Sequence, residues 1–346
     1  MQGQIIYLDN AASTQCLVPP SEITGNPSSR SHYFGITARK QIEASRSTIA
    51  EVLGVTSERL VFTSGASESA RIIHHSLGME LVSETAHNCM FFGGIKKIPW
   101  KDFVAGNIPA GHSWAELVNN ETGIITNTQF GLAGVNVCDA TQAILKFNTP
   151  LTMESAQFIF GSAHKFHGPL GVGFIISRDV DSWDGLIPLE KKGTQERGVR
   201  PGTLNVPAII QTGEVAKWML KNGDEYRAKL KHLQSTFENK IKSLTDCWII
   251  GADQERAPHI TSLNLPGVDN EALIAAVNDR LAIASGSACT SEKVEPSHVL
   301  MAMFNDREIA DTTVRISYGW FNTEAEVLEA AEIIAKAAET IRSFSL

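Results

Sequence analysis

The stretch Ser162-Ala163-His164-Lys165 constrains this chain more than any other. An apolar run, Phe158-Ile159-Phe160, leads into it. His167-Gly168-Pro169 and a second apolar run from Leu170 to Ile176 follow. The pattern reads as strand, tight loop, strand, with a lysine fixed at the turn. Lysines ordinarily sit solvated on flexible stems. One held between two buried strands loses hydration, its pKa falls, and the freed amine becomes a nucleophile able to form a Schiff base. A solvated lysine at the tip of a surface hairpin is the other reading of the same four residues.

The residues upstream bear on that choice. Val135-Asn136-Val137-Cys138-Asp139 reads as a short buried strand that ends in an acid, with Gln142 one turn on. A pyridoxal phosphate (PLP) site needs a lysine for the Schiff base and a carboxylate on the pyridinium nitrogen, which keeps the ring an electron sink. Asp139 and Lys165 come from the ends of two successive predicted strands. Such ends line the ligand crevice of open α/β sheets.

The chain has 346 residues, enough for two domains or one large domain with a smaller one attached. Its net charge of −8 argues against direct nucleic-acid binding, which usually shows a basic face. No run reaches the length of a membrane span, and Met1-Gln2-Gly3-Gln4 lacks a secretory leader pattern. The five cysteines, at 16, 89, 138, 247 and 289, have no metal-type spacing. They suit a reducing cytoplasm, where a thiol serves chemistry more often than cross-linking. The histidines 74, 75, 87 and 164 lack a ligand spacing with carboxylates or thiols, so no metal is expected.

Taken in order, residues 5–12 read as a strand running into a turn, and residues 13–31 as loop. Thr37 to Leu53 carries a helical apolar face, with Thr37 as cap and Gly54 as stop. Leu60-Val61-Phe62-Thr63 is a strand, and Ser64-Gly65-Ala66-Ser67 opens a helix from Ala70 to Leu77. Strand, small-residue turn and helix N-terminus form an anion site or simply a capped βα turn. Glu80 to Thr85 is a strand ending near His87, a residue type that is more often structural than catalytic. Residues 88–111 read as irregular. Trp114 to Val118 is a strand that delivers Asn119-Asn120-Glu121-Thr122-Gly123. Gly193 to Thr203 is a loop, either ligand-binding or merely exposed. Val206 to Leu244 is largely helix, and its character changes near residue 222. From Trp248 onward an α+β pattern follows, with strands, a helix at Asn270 to Val277, a strand at Val314 to Ser317 and a final helix from Thr323 to Arg342.

Two more features carry chemistry. Cys289 sits at the centre of a small, polar loop, Ser285-Gly286-Ser287-Ala288-Cys289-Thr290-Ser291, where a thiol stays accessible. Arg315 lies inside an apolar strand and therefore needs an anion, either a substrate carboxylate or a structural Asp or Glu.

In this order the stretches YLDNAAST, GNPSSRSH, LVFTSGASES, TAHN, NNETG, CDATQA, SAHKFHGPLGVG, QERGVRPGTLNVP, ASGSACTS with EPSHVL, and VRISYG resemble the cysteine desulfurases, in the group with the SGSACTS active-site loop. These are fold-type I, aminotransferase-like PLP enzymes. The resemblance spans residues 7–319. It implies an α/β fold with a large, mostly parallel-sheet PLP domain (13–225). A smaller α+β domain (1–12 with 226–346) would carry the cysteine loop. Lys165 would hold PLP, Asp139 would pair with its ring nitrogen, and Gln142 would bond its ring hydroxyl. His87 would stack on the ring and assist proton transfer. Ser67, Ser162, His164 and the backbone N–H of Ala66 would bind the phosphate, and Thr203 would reach the phosphate of a neighbouring subunit in a homodimer. Asn120 and Arg315 would hold the carboxylate of L-cysteine. Cys289 would be the nucleophile that takes the sulfur as a persulfide and passes it to an acceptor protein.

The chain departs from the family pattern between Ala12 and Gly25, between Ser69 and Asn119, and between Gly123 and Val135, which all look shortened. Ala70-Arg71 stands where the family usually has Asp-Asn. These departures leave the acceptor open among iron–sulfur assembly, tRNA thiolation and DNA sulfur modification. A selenocysteine lyase or a cysteine or cystine lyase would share Lys165, Asp139 and His87 without needing Cys289. A non-catalytic docking subunit would have no use for the cofactor lysine.

Overall fold

The computed structural model describes residues 5–23, 25–126, 136–146, 156–187, 193–286 and 295–344. Its elements in chain order are β1 (Ile6–Tyr7), α1 (Tyr33–Val52), β2 (Leu60–Thr63), α2 (Ala66–Leu77), β3 (Leu81–Ser83), β4 (Lys96–Ile98), α3 (Trp100–Val104), β5 (Ser113–Glu116), β6 (Val137–Asp139), β7 (Phe158–Ser162) and β8 (Gly173–Ser177). There follow α4 (Val206–Leu244), β9 (Trp248–Ile249), β10 (Ile260–Asn264), α5 (Asn270–Val277), β11 (Leu281–Ala282), β12 (Ala284–Ser285), α6 (His298–Phe304), α7 (Arg307–Asp311), β13 (Thr313–Ser317) and α8 (Glu324–Phe344).

Among the described residues, seven strands make one sheet in the order β2-β8-β7-β6-β5-β3-β4. β3, β4, β5, β6 and β7 pair in parallel, while β8 is antiparallel to both of its neighbours. The sheet is apolar on both faces, as a parallel sheet covered on both sides must be. Successive side chains alternate between two cores. Trp114, Val137, Phe158 and Phe160 join Ile72 and Ile73 of α2 on one side. Ala115, Cys138 and Ile159 join Ala38, Ile42 and Ile49 of α1 and Val206 and Ile209 of α4 on the other.

The helix α4 links this sheet to a second unit. Asn205 caps its start by accepting from the N–H of Ala208, and Pro207 stands in the first turn. Its N-terminal half lies on α1, where the Cα of Gly213 faces Ser45 so closely that a Cβ would come within 2.5 Å of the hydroxyl. Leu230, Leu233, Phe237 and Ile241, at helical spacing, are buried in its C-terminal half. Burial of such a side chain contributes about 1.5–3 kcal/mol. That half pairs with α8 through Lys240 and Glu332 at 2.8 Å. The second unit is an antiparallel sheet, β12-β13-β10-β9. β1 pairs in parallel with β11, and Asp9 bridges to Ser317.

Several boundaries differ from the sequence expectation. α1 begins four residues before Thr37, because the His32 ring accepts from the N–H of Gly35 and caps the helix there. α2 begins at Ala66 rather than Ala70, with Gly65 as its cap and Glu68 reaching back to the backbone N–H of Ser64. Only Ile6 and Tyr7 of the first apolar stretch form a strand. Residues 88–111, expected to be irregular, contain β4 and α3. β4 is an edge strand with two exposed lysines, so it has no apolar alternation to betray it. α3 is a five-residue turn of helix after Pro99.

Candidate active site

β2 points the same way as β3, β5, β6 and β7, so the carboxyl ends of all five strands open on one edge. There they enclose a cavity of about 450 Å³, within the usual range of small-molecule sites. Ala66, Ser67, His87, Asn120, Asp139, Gln142, Ser162, His164 and Lys165 line it. These are nine of the residues expected from the sequence. Arg315 lines an adjoining cavity of about 470 Å³ that shares His87, Asn120, Gln142 and Lys165. Thr203 is exposed and lines neither cavity. Cys289 lies outside the described residues. Gly286, three positions before it, lines the Arg315 cavity.

Lys165 ends a 3₁₀ turn that follows β7. Its Nζ donates to the carbonyls of Ala11 and Ala12, each at 2.7 Å. The N-terminal segment is fastened over this turn. Thr14 donates to the carbonyl of His164 from both its N–H and its hydroxyl at 2.8 Å, and the His167 ring bonds the Gln15 carbonyl at 2.7 Å. Burial first, and then the charge of Arg315, pull the Lys165 amine down to about 8. At pH 7 about a tenth of such an amine is free, roughly two hundred-fold more than for an ordinary lysine. The surface-hairpin reading of Lys165 is thereby set aside.

Asp139 ends β6 and is buried. Its Oδ1 accepts from the N–H of Thr141 at 2.8 Å. Burial pushes the carboxyl up, while nearby Thr141 and the charges of His87 and Lys165 pull it back. A cation in contact favours the ionised form of a buried carboxyl, and a protonated ring nitrogen is such a cation. The Thr141 hydroxyl is buried and has no partner among the described residues. The Gln142 amide donates to the carbonyl of Ala11 at 2.8 Å and accepts from the Lys146 amine at 2.7 Å. His259 stands 3.1 Å from the same amide oxygen. His87 accepts at Nδ1 from the N–H of Cys89 at 3.1 Å, which leaves the proton of the neutral ring on Nε2. Burial lowers its pKa.

The N-terminus of α2 lines one end of the cavity through Ala66, Ser67 and Glu68, the kind of end whose free N–H groups suit an anion. Gly65 permits the fit. A Cβ on Gly173 of β8 would lie 2.4 Å from the Cα of Gly65, so the strand tolerates no side chain at this crossing. Ser162 and His164 approach from β7, and burial pulls the His164 ring down to about 4, so it is neutral at physiological pH. A lysine, a buried carboxyl beneath, a histidine beside and a helix N-terminus at one end fit PLP in size and in donor set.

Arg315 on β13 meets the duller of the two expectations in part. It pairs with Asp9 at 2.8 Å and donates to the carbonyl of Asn120 at 2.9 Å. Its Nε is buried without a partner among the described residues. The sequence reading missed Glu116, Cys89 and Thr141 in the main cavity and Glu121 and His298 in the adjoining one. Glu116 gave a usable signal, a charge in the apolar run Trp114 to Val118, the same kind of signal that picked out Arg315.

Known proteins agree with this geometry. The family pattern of class-V aminotransferases matches residues 6–88 and 115–329. The interruption falls in the stretch expected to be shortened. The cysteine desulfurase IscS of Buchnera aphidicola subsp. Acyrthosiphon pisum (strain 5A) is 31% identical over 98% of this chain and 94% of its own length. A solved NifS-like protein superimposes with a TM-score of 0.81 at 26% identity, covering 99% of this chain and all of that one. DndA from Streptomyces lividans superimposes at 0.69 with 29% identity, covering 85% and 92%. The chain belongs to the class-V aminotransferases and, among them, to the cysteine desulfurase family.

Proposed function

We propose that this chain takes sulfur from L-cysteine, releases L-alanine, and carries the sulfur as a persulfide on Cys289 to an acceptor protein. The observation that carries the reading is the meeting of Lys165, Asp139 and His87 in one cavity at the N-terminus of α2.

Lys165 would hold PLP covalently, and its depressed pKa supports that role. Asp139 would face the ring nitrogen, Gln142 the ring hydroxyl, and His87 the ring plane. Ser67, Ser162, His164 and the Ala66 N–H would hold the phosphate. When bound, the cofactor supplies an electron sink that makes the substrate Cα–H acidic. Lys165 and His87 would then move protons at Cα and Cβ. Arg315 and Asn120 would orient the substrate carboxylate; the unpartnered Nε of Arg315 supports this. The Cys289 thiolate would attack the substrate sulfur. An S–S bond forms, the Cβ–S bond breaks with its electron pair going to carbon, and a proton completes the methyl group of alanine.

The exposure of Thr203 outside its own cavity supports a role toward a partner subunit's phosphate, hence a homodimer. We assign 13–225 to the cofactor domain and 1–12 with 226–346 to the smaller one, with α4 running across the junction. A thiol chemistry of this kind calls for a reducing compartment such as the cytoplasm. No helix among the described residues is long and apolar enough to cross a membrane.

The test is reconstitution with PLP. Wild type should develop a visible Schiff-base band that adding L-cysteine shifts, and Lys165→Ala should develop none. A band of equal strength in Lys165→Ala would overturn the assignment of the cofactor lysine.

A further inference from the structure

Glu116 closes β5 as Asp139 closes β6, and the two residues are register partners in the parallel pair. Paired residues of neighbouring parallel strands present their side chains on the same face. Trp114 and Val137, two residues earlier, lie in the core on the α2 side. Glu116 and Asp139 therefore stand side by side on that face, and both line the cavity. Glu116 is 3% exposed. Its Oε1 accepts from the Thr85 hydroxyl at 2.6 Å and from the Asn119 amide at 3.3 Å. Its Oε2 is buried and has no partner among the described residues. A buried carboxyl oxygen left without a donor costs stability.

We propose that Glu116 is a positioning carboxyl of the cofactor site, placed beside Asp139 so that its protonation state sets the charge that the cofactor ring and Lys165 meet. The proposal rests on the cofactor reading above. Two carboxyls sharing one buried site do not both ionise easily. Burial and the neighbouring Asp139 charge raise Glu116 to about 6, against the bonds from Thr85 and Asn119. Among the described residues, the titratable groups that line the same cavity are Asp139 on β6, His87 and Cys89 after β3, His164 and Lys165 after β7, and Glu68 on α2, with Cys138 of β6 also within reach of its charge. Arg315 on β13 and His298 on α6 act on His87, and His74 of α2 stacks on Trp114. While Glu116 is protonated it adds no charge beside Asp139. As pH rises, Glu116 adds a negative charge, which favours the protonated form of the Schiff-base nitrogen on Lys165.

The experiment is a spectrophotometric pH titration of the Schiff-base band in PLP-loaded wild type and Glu116→Gln. Glutamine keeps the size and the Oε1 bonds and cannot ionise. The midpoint should fall by about half to one pH unit in Glu116→Gln, the scale of one unit charge at moderate distance. A wild-type limb near pH 6 should vanish. Thr85→Val provides a second variant that leaves the carboxyl in place. It removes a bond that favours the ionised form, so it should move that limb to higher pH. Superimposable titrations in all three proteins, each carrying the band, would overturn the role of Glu116 alone. A wild type without any band would overturn the cofactor reading and this inference with it.

Discussion

Burial at single positions decides which groups of this site can react. Lys165 illustrates the gain: desolvation and the Arg315 charge leave its amine partly free near neutrality. Glu121 illustrates the cost. It is buried in the turn after β5, accepts from the Ser297 hydroxyl, and burial raises it to about 7. The unfolded chain releases that proton at about pH 4.3. Between these values the folded state binds more protons than the unfolded one, so stability falls as pH rises and stays lowered above 7. Glu121→Gln never ionises. Thermal melts should therefore show it more stable than wild type by about 1–3 kcal/mol at pH 8, with no gain at pH 4. Arg315 would bear on substrate binding. Its planar guanidinium bonds Asp9 and the Asn120 carbonyl and still has Nε to donate, a set of directed bonds that a lysine cannot reproduce. Arg315→Lys should raise KM for L-cysteine about ten- to a hundred-fold, the worth of a charge-assisted bond. Steady-state kinetics with an unchanged KM would deny Arg315 the carboxylate.

At the scale of elements, strand register and loop anchoring turn a sequence pattern into a site. Asp139 and Lys165 were legible because each ends or follows an apolar run, and parallel strands bring such ends together. The whole of α4 was legible too, since its caps and apolar spacing agree. The partners of Lys165 were not, because they are the backbone carbonyls of Ala11 and Ala12, and a carbonyl leaves no mark in composition. The pairing of Glu116 with Asp139 depends on register, which a single strand read alone does not contain. The loop from Gly193 to Thr203 was readable as functional or exposed. The structure shows what fixes it. Glu196, at φ 45°, takes both guanidinium nitrogens of Arg46 at 2.7 and 2.8 Å and accepts from the N–H of Phe62. Both side chains are nearly buried, and Arg46 also lies over the Phe62 ring. Removing Glu196 leaves the nearly buried Arg46 charge with only the more exposed carboxylate of Glu43 beside it. Glu196→Ala should cost about 3–5 kcal/mol in denaturant unfolding, whereas a cost under about 1 kcal/mol would place the pair among weak surface bridges.

For the whole molecule, the family pattern and the fold agree along most of the chain, and the differences gather at the periphery. The relatives match end to end, yet the family pattern breaks between residues 88 and 115. That break holds β4 and α3, a lysine-bearing edge strand and a short helix far from Lys165 in sequence. Peripheral surfaces are where an acceptor would dock, so the catalytic chemistry and the choice of acceptor are separable in this chain. The proposed chemistry rests on Cys289. Cys89 lines the cavity, but burial pushes its thiol up and so keeps it un-ionised. The most direct measurement is the alanine formed from L-cysteine by PLP-loaded protein with a thiol reductant present, compared between wild type and Cys289→Ala. Alanine from wild type with almost none from the variant is the predicted result. Equal alanine from both would contradict sulfur transfer through Cys289 and place the chain with lyases that cleave the same bond without a protein thiol.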